Sequence, residues 1–113
     1  MSYVEFICND CSYTSLGELL EDEMYKRGIN TKLPSSTDWG YVFKASLNKH
    51  EFDIFVEKVQ NIKNKFSISI SSTLNKIEKL FGKNDDYESK SVGKIIDDIL
   101  KLNSGFKEIV WIK

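Results

Sequence analysis

Hydrophobic and polar positions alternate most regularly between Asp38 and Ser71. Trp39, Tyr41, Phe43, Ala45 and Leu47 fall on one face of an extended run, with Val42, Lys44 and Ser46 on the other. After Asn48-Lys49-His50 the alternation resumes, setting Phe52, Ile54 and Val56 against Glu51, Asp53, Phe55 and Glu57. A third run sets Phe66, Ile68 and Ile70 against three serines, a face that suits water. Three runs of period two, separated by turn residues, predict an antiparallel meander with one buried face.

The flanking segments add strands and helices. Residues 3–8 carry apolar side chains on both faces, which predicts a strand placed centrally in the sheet. Ser15 and Glu18 read as a capping box opening a helix, with Leu16, Leu19, Leu20 and Met24 as its apolar stripe and Gly28 as its stop. Ile29 to Leu33 reads as a short strand ended by Pro34. Ser72 or Thr73 caps a second helix carrying Leu74, Ile77, Leu80 and Phe81 and stopping at Gly82. Lys83 to Lys90 reads as a charged loop. Ser91 opens a third helix with Val92, Ile95, Ile96, Ile99 and Leu100, and Lys107 to Ile112 is a last strand pairing centrally beside the first. The expected class is α+β: a mostly antiparallel sheet of five to six strands with a central three-stranded meander, and three helices packed mainly on one face.

At 113 residues the chain fits one domain, 1–113. With one Pro and six Gly it has no composition for a linker or low-complexity tail. No apolar run approaches the ~20 residues of a membrane span, and the N-terminus lacks the pattern of a signal peptide, so a cytoplasmic protein is expected. The net charge of −1 hides a polarity. The first 25 residues hold Glu5, Asp10, Glu18, Glu21, Asp22 and Glu23 and no Lys or Arg, whereas Lys58 to Lys83 holds six lysines against Glu78. Such a chain carries a field with two ends.

Candidate chemistry is sparse. Cys8-Asn9-Asp10-Cys11 has the spacing of a thiol redox pair between a strand and a helix. A helix starting four residues past Cys11 lies too far to lower a thiol pKa, and the acidic neighbours Glu5, Asp10 and Glu18 oppose a thiolate. A buried Cys8 and an incidental Cys11 is the favoured reading, and a small thiol redox protein the alternative. Two cysteines and His50, at a hairpin turn, fall short of a zinc site. The scattered glycines form no phosphate loop, there is no G-x-S-x-G, and Asp85-Asp86 and Asp97-Asp98 lack calcium-loop spacing. No enzyme, cofactor or metal is expected. The weakly negative charge and the lack of a stacking pattern of exposed aromatics argue against a nucleic-acid partner.

Protein binding is the remaining class. The outward face of the first helix presents Glu18, Glu21, Asp22 and Tyr25, with Tyr13 nearby, while Glu23 falls beside the apolar stripe with Arg27 one turn on. Asp38 and Trp39 stand at the mouth of the meander and extend this patch, although Trp39 shares its face with Tyr41 and Phe43 and so reads first as core. The stretches Asp38-Trp39-Gly40-Tyr41-Val42-Phe43 and Glu51-Phe52-Asp53-Ile54-Phe55-Val56 are similar to aromatic-rich hairpins of the immunity proteins of bacterial contact-dependent growth inhibition and related polymorphic toxin systems. The resemblance is one of style over about a third of the chain. It implies a cognate toxin domain, often a nuclease, as the protein partner, held by Glu18, Glu21, Asp22, Tyr25, Asp38 and Trp39. The implied mechanism is steric and electrostatic occlusion, with no membrane or nucleic-acid partner. On this reading, reversing Glu21 and Asp22 to Lys weakens binding and spares folding.

Overall fold

A computed structural model describes residues 3–47, 50–72, 86–103 and 105–112, without the side chains of Leu33, His50, Ser72 and residues 86–90. The strands are β1 (Tyr3–Cys8), β2 (Asn30–Ser36), β3 (Gly40–Leu47), β4 (His50–Lys58), β5 (Lys65–Ser72) and β6 (Phe106–Ile112). The helices are α1 (Tyr13–Lys26) and α2 (Asp86–Leu102). The strands form one sheet in the order β2-β3-β4-β5-β1-β6. All five pairings are antiparallel.

The expected architecture of three helices on a five- to six-stranded sheet is therefore corrected. The protein is sheet-rich, with two helices among the described residues. The helix expected from Ser72 or Thr73 to Gly82 lies outside the described residues, except that Ser72 itself ends β5. Helix α2 starts at Asp86, five residues before the Ser91 expected to open it.

Two strand expectations also change. Pro34 does not end β2, which runs on to Ser36 through a register shift between Lys32 and Ser35. Proline is tolerated there because β2 is an edge strand, where a missing N–H costs no ladder bond. The last strand pairs with β1 as expected, but it forms the other edge. Its left-handed Glu108 (φ 51) and the register shift opposite Glu5–Ile7 bend it away from regular pairing.

Alternation in the strands sorts side chains between two faces. Val4 and Phe6 of β1, Tyr41, Phe43 and Ala45 of β3, Phe52, Ile54 and Val56 of β4, and Phe66, Ile68 and Ile70 of β5 are buried together. Leu16, Leu20 and Met24 of α1 and Val92, Ile96, Ile99 and Leu100 of α2 join the same cluster, so both helices cover one face. Trp111 ties the edge to α2, its Nε1 donating to Asp97 Oδ1 at 2.9 Å. Burial opposes the charge on Asp97, but hydrogen bonds from Lys101 and Trp111 outweigh it and hold the carboxyl below its ordinary pKa.

The ends of α1 are set by local chemistry. Ser12 is the N-cap and Ser15 the N3 residue of a reciprocal capping box, so the helix begins well before the Ser15–Glu18 start expected. Serine serves at both positions because its hydroxyl accepts from one amide and reaches back to another. At the other end Ile29 N donates to Met24 O and Gly28 N to Tyr25 O, with Gly28 left-handed at φ 81. This is a Schellman stop, and its apolar clasp is the buried pair Met24 and Ile29.

Gly17 lets α1 lie flat on the sheet. A Cβ at this position would stand 2.6 Å from Cε1 of Tyr41, inside the ring's contact distance. Gly17→Ala gains up to ~1 kcal/mol of helix propensity but forces the helix off a buried ring, a strain of about 1–3 kcal/mol. The expected net result is a lower urea midpoint; a raised midpoint would mean that α1 does not rest on Tyr41.

Candidate functional site

The residues singled out from the sequence separate into two groups. Glu18, Glu21, Asp22 and Tyr25 belong to α1, on the helix-covered side of the sheet. Tyr25 is 73% exposed. Glu18 and Asp22 are exposed and Glu21 is half-buried. Most of the acidic groups already have partners. Glu21 accepts a hydrogen bond from the Tyr41 hydroxyl. Asp22 pairs with Lys26 at 3.1 Å. Glu23 pairs with Arg27 at 2.8 Å and Lys26 at 3.5 Å. The Arg27 hydrogen bond holds the Glu23 carboxyl below its ordinary pKa. The outer face of α1 is thus a partly neutralised surface rather than a free acidic patch.

Tyr41 is the buried half of the Glu21 contact. Burial, and then the hydrogen bond to Glu21, push its phenol well above the ordinary tyrosine pKa. A folded pKa above the unfolded one means the contribution is fully present below the unfolded value of about 10 and falls away as pH rises past it. Phenolate absorbance at about pH 11 is therefore expected to match between the chain and Tyr41→Phe while both remain folded. An excess of one phenolate in the parent chain would show that Tyr41 is open to solvent.

Glu21 also changes the meaning of the charge reversal expected from sequence. A Lys at 21 removes the acceptor from a buried phenol, so Glu21→Lys perturbs folding as well as charge. Glu18, and Asp22 with its exposed pair to Lys26, are the positions on this face where charge reversal disturbs folding least.

Asp38 and Trp39 lie elsewhere, in the turn joining β2 to β3. Thr37 braces that turn. Its amide donates to Gly40 O at 2.8 Å, and its hydroxyl oxygen accepts from the amides of Trp39 at 3.3 Å and Gly40 at 3.2 Å. Helix α1 grips the same turn through the Tyr13 hydroxyl, which donates to Thr37 O at 2.8 Å. Tyr25, twelve residues along, is ~18 Å further down the helix axis. Trp39 is not a core residue, as its shared parity with Tyr41 suggests, but is 52% exposed. Its ring stacks on Phe55 at 6.1 Å between centroids. Phe55 alternates with the buried Ile54 and Val56, so Trp39 is turned onto the face away from the helices. Gly40 permits the switch: a Cβ there would stand 2.5 Å from Val56 O, so the chain passes tight against β4 where β3 begins.

That uncovered face has a pattern visible only once the strands are in register. Ser35, Val42, Phe55, Ser69, Tyr3 and Ile112 are successive cross-strand partners, one from each strand. They form a transverse row carrying four apolar or aromatic side chains. Beside it runs Glu57–Ser67–Glu5–Val110. Three ion pairs neutralise much of the remaining face: Lys32–Glu51 at 2.6 Å, Lys44–Asp53 at 2.9 Å and Lys65–Glu5 at 3.4 Å. Lys32 accordingly holds Glu51 below its ordinary pKa. Among the described residues neither α1 nor α2 covers this face. At its Trp39 end an open groove of ≈ 670 Å³ is bordered by Tyr13, Asp38, Trp39, Glu57 and Lys58.

Cys8 and Cys11 form a disulfide at the end of β1, ahead of α1. Among the described residues no cluster of three or more His, Cys, Asp or Glu side chains gathers as metal ligands would. His50 pairs with Leu47 in the sheet, and its side chain is not among those described. No helix among the described residues is long and apolar enough to cross a membrane. No protein family, curated protein or solved structure matches this chain.

The sequence pointed to Trp39 and Asp38 as binding residues but not to Phe55, Val42 or Glu57. The signal for Phe55 was an aromatic on the polar side of an otherwise alternating strand. Period two alone cannot say that Trp39 would cover it.

Proposed function

We propose that this chain is a protein-binding module, and specifically a toxin-neutralising immunity protein that occludes a cognate toxin domain. The contact surface we assign is the Trp39 end of the uncovered sheet face, with Trp39, Phe55 and Val42 as its apolar centre and Asp38 and Glu57 at its rim. The observation that carries this reading is the exposed Trp39 stacked on Phe55, held by a braced turn. A rigid, exposed tryptophan is an anchor of the kind that dominates protein interfaces.

The rim fits the partner's chemistry. A nuclease domain gathers Lys and Arg to hold phosphates, and those cations gain from carboxylates and from an aromatic face. Asp38 and Glu57 have no ion-pair partner among the described residues, in contrast to Glu5, Glu51 and Asp53 on the same face. These two carboxylates are the ones we assign to meet cations on the partner. The first-choice contacts on α1 become secondary, because Glu21 and Asp22 are already engaged.

The test is capture with the tagged chain in its source cell, followed by growth assays. The expected result is one partner in 1:1 ratio, whose isolated domain arrests growth unless this chain is co-expressed. A stoichiometric partner that leaves growth unaffected would remove the toxin reading. A toxin still bound by Trp39→Ala but lost from Glu18→Lys/Asp22→Lys would move the interface back to α1.

A further inference from the structure

The two halves of the Cys8–Cys11 bridge are placed unequally. Cys8 ends β1, is 4% exposed and lies opposite Phe106 of β6. Its amide donates to Asn64 O at 2.9 Å. Cys11 is part exposed and immediately precedes Ser12, the N-cap of α1. Asn9 and Asp10 between them are exposed, with Asp10 in a left-handed turn at φ 60. Asn64 Nδ2 donates to Asn9 Oδ1 at 3.0 Å.

The backbone on each side of the bridge is therefore held by bonds that do not involve sulfur. Cys8 is fixed by the sheet, and Ser12, the residue after Cys11, by the helix cap. On the chain-entropy account a disulfide stabilises less the shorter the loop it closes, and only two residues lie between Cys8 and Cys11. Two of the objections raised by the sequence also lapse: the N-cap of α1, Ser12, directly follows Cys11, and Glu5 is paired with Lys65 on the opposite face.

We propose that Cys8–Cys11 is an exchangeable disulfide, opened in the folded protein by low-molecular-weight thiols that attack the sulfur of Cys11. A thiolate RS⁻ forms a bond to Cys11 Sγ as the Cys8–Cys11 bond breaks. The electron pair leaves on Cys8 Sγ, which is then protonated to the thiol. A second thiolate attacks the outer sulfur of the mixed disulfide. This forms RS–SR and leaves the electron pair on Cys11, at the positive end of α1. In sum two thiols are oxidised to one disulfide, and the protein disulfide is reduced to two thiols. Access selects Cys11 as the attacked sulfur, since Cys8 is enclosed by the sheet.

The experiment uses glutathione as the probe and needs no partner, so its outcome is independent of the immunity reading. The oxidised chain is incubated in buffers of rising reduced-to-oxidised glutathione ratio, acid-quenched, alkylated and weighed by mass spectrometry, with circular dichroism in parallel. Two alkylated thiols are expected to appear while the native spectrum persists. The single variants locate the attack. Cys8→Ser is expected to gain glutathione on Cys11 about tenfold or more faster than Cys11→Ser gains it on Cys8. A bridge that opens only in denaturant, a chain that unfolds as it opens, or equal rates in the two variants would each overturn the proposal.

Discussion

Replacing Phe6 with Ala is expected to lower the unfolding free energy by about 3–5 kcal/mol, the usual cost of deleting a buried aromatic ring. Phe6 is 0% exposed and sits where the two helices meet over the sheet. Its ring stacks on Phe66 at 6.2 Å and meets Phe106 edge-on at 5.3 Å. It also lines the junction formed by Leu16 and Leu20 of α1 with Ile99 and Leu100 of α2. Truncation thus removes packing from β5, β6, α1 and α2 at once, and the strands around it are too well tied to collapse into the space. Domains hold only about 5–15 kcal/mol in total, so the variant is expected to be partly unfolded under mild urea. Chemical denaturation followed by circular dichroism measures this directly. A loss below about 1 kcal/mol would contradict the place given to Phe6 in the core.

Trp39→Ala is expected to weaken the complex with the cognate partner by about 2–4 kcal/mol, or roughly thirtyfold to a thousandfold in Kd. The effect on folding is expected to be near 1 kcal/mol, because what the fold loses is chiefly the ring contact with Phe55. The turn itself is retained, since Thr37 braces it through backbone and hydroxyl groups that the substitution leaves untouched. Glu18→Lys/Asp22→Lys is expected to cost less and to act mainly through a salt-sensitive association rate, as exposed charges at a rim do. Calorimetry or surface-immobilised binding at two salt concentrations separates the two variants. Equal and small losses in both would remove Trp39 from the interface.

Much of the sheet was legible in the residues. The alternation in β3, β4 and β5 identified Phe43, Ile54 and Ile68 as core because a strand flanked by water on one side must sort its side chains by parity. The stop at Gly28 was legible because a Schellman turn needs a left-handed residue, and Gly28 supplies it directly after Lys26-Arg27. The start of α1 is ambiguous in the sequence because Ser12–Ser15 and Ser15–Glu18 both satisfy the local pattern of a cap. Docking of Tyr13 on Thr37 and of Thr14 on Ser36 favours the earlier start, and both contacts span more than twenty residues. Pro34 signals a strand end locally, but its effect depends on whether β2 has a neighbour on that side, which is a property of the sheet and not of the tripeptide.

The site was legible only in pieces. Local sequence was enough to mark Trp39 and Asp38 as a turn between strands, and Glu18, Glu21, Asp22 and Tyr25 as one side of a helix, because helical and strand periods follow from backbone geometry alone. Whether those groups meet depended on packing between distant segments. Tyr41 takes up Glu21 from twenty residues away, and Gly40 passing close to Val56 O turns Trp39 onto Phe55 and the open face. The same long-range packing seats Cys8 in the sheet and Cys11 at a helix cap. Side-chain periodicity is a one-dimensional consequence of the chain, whereas the pairing of charges, the exposure of an aromatic and the access to a sulfur arise only when the layers close on one another.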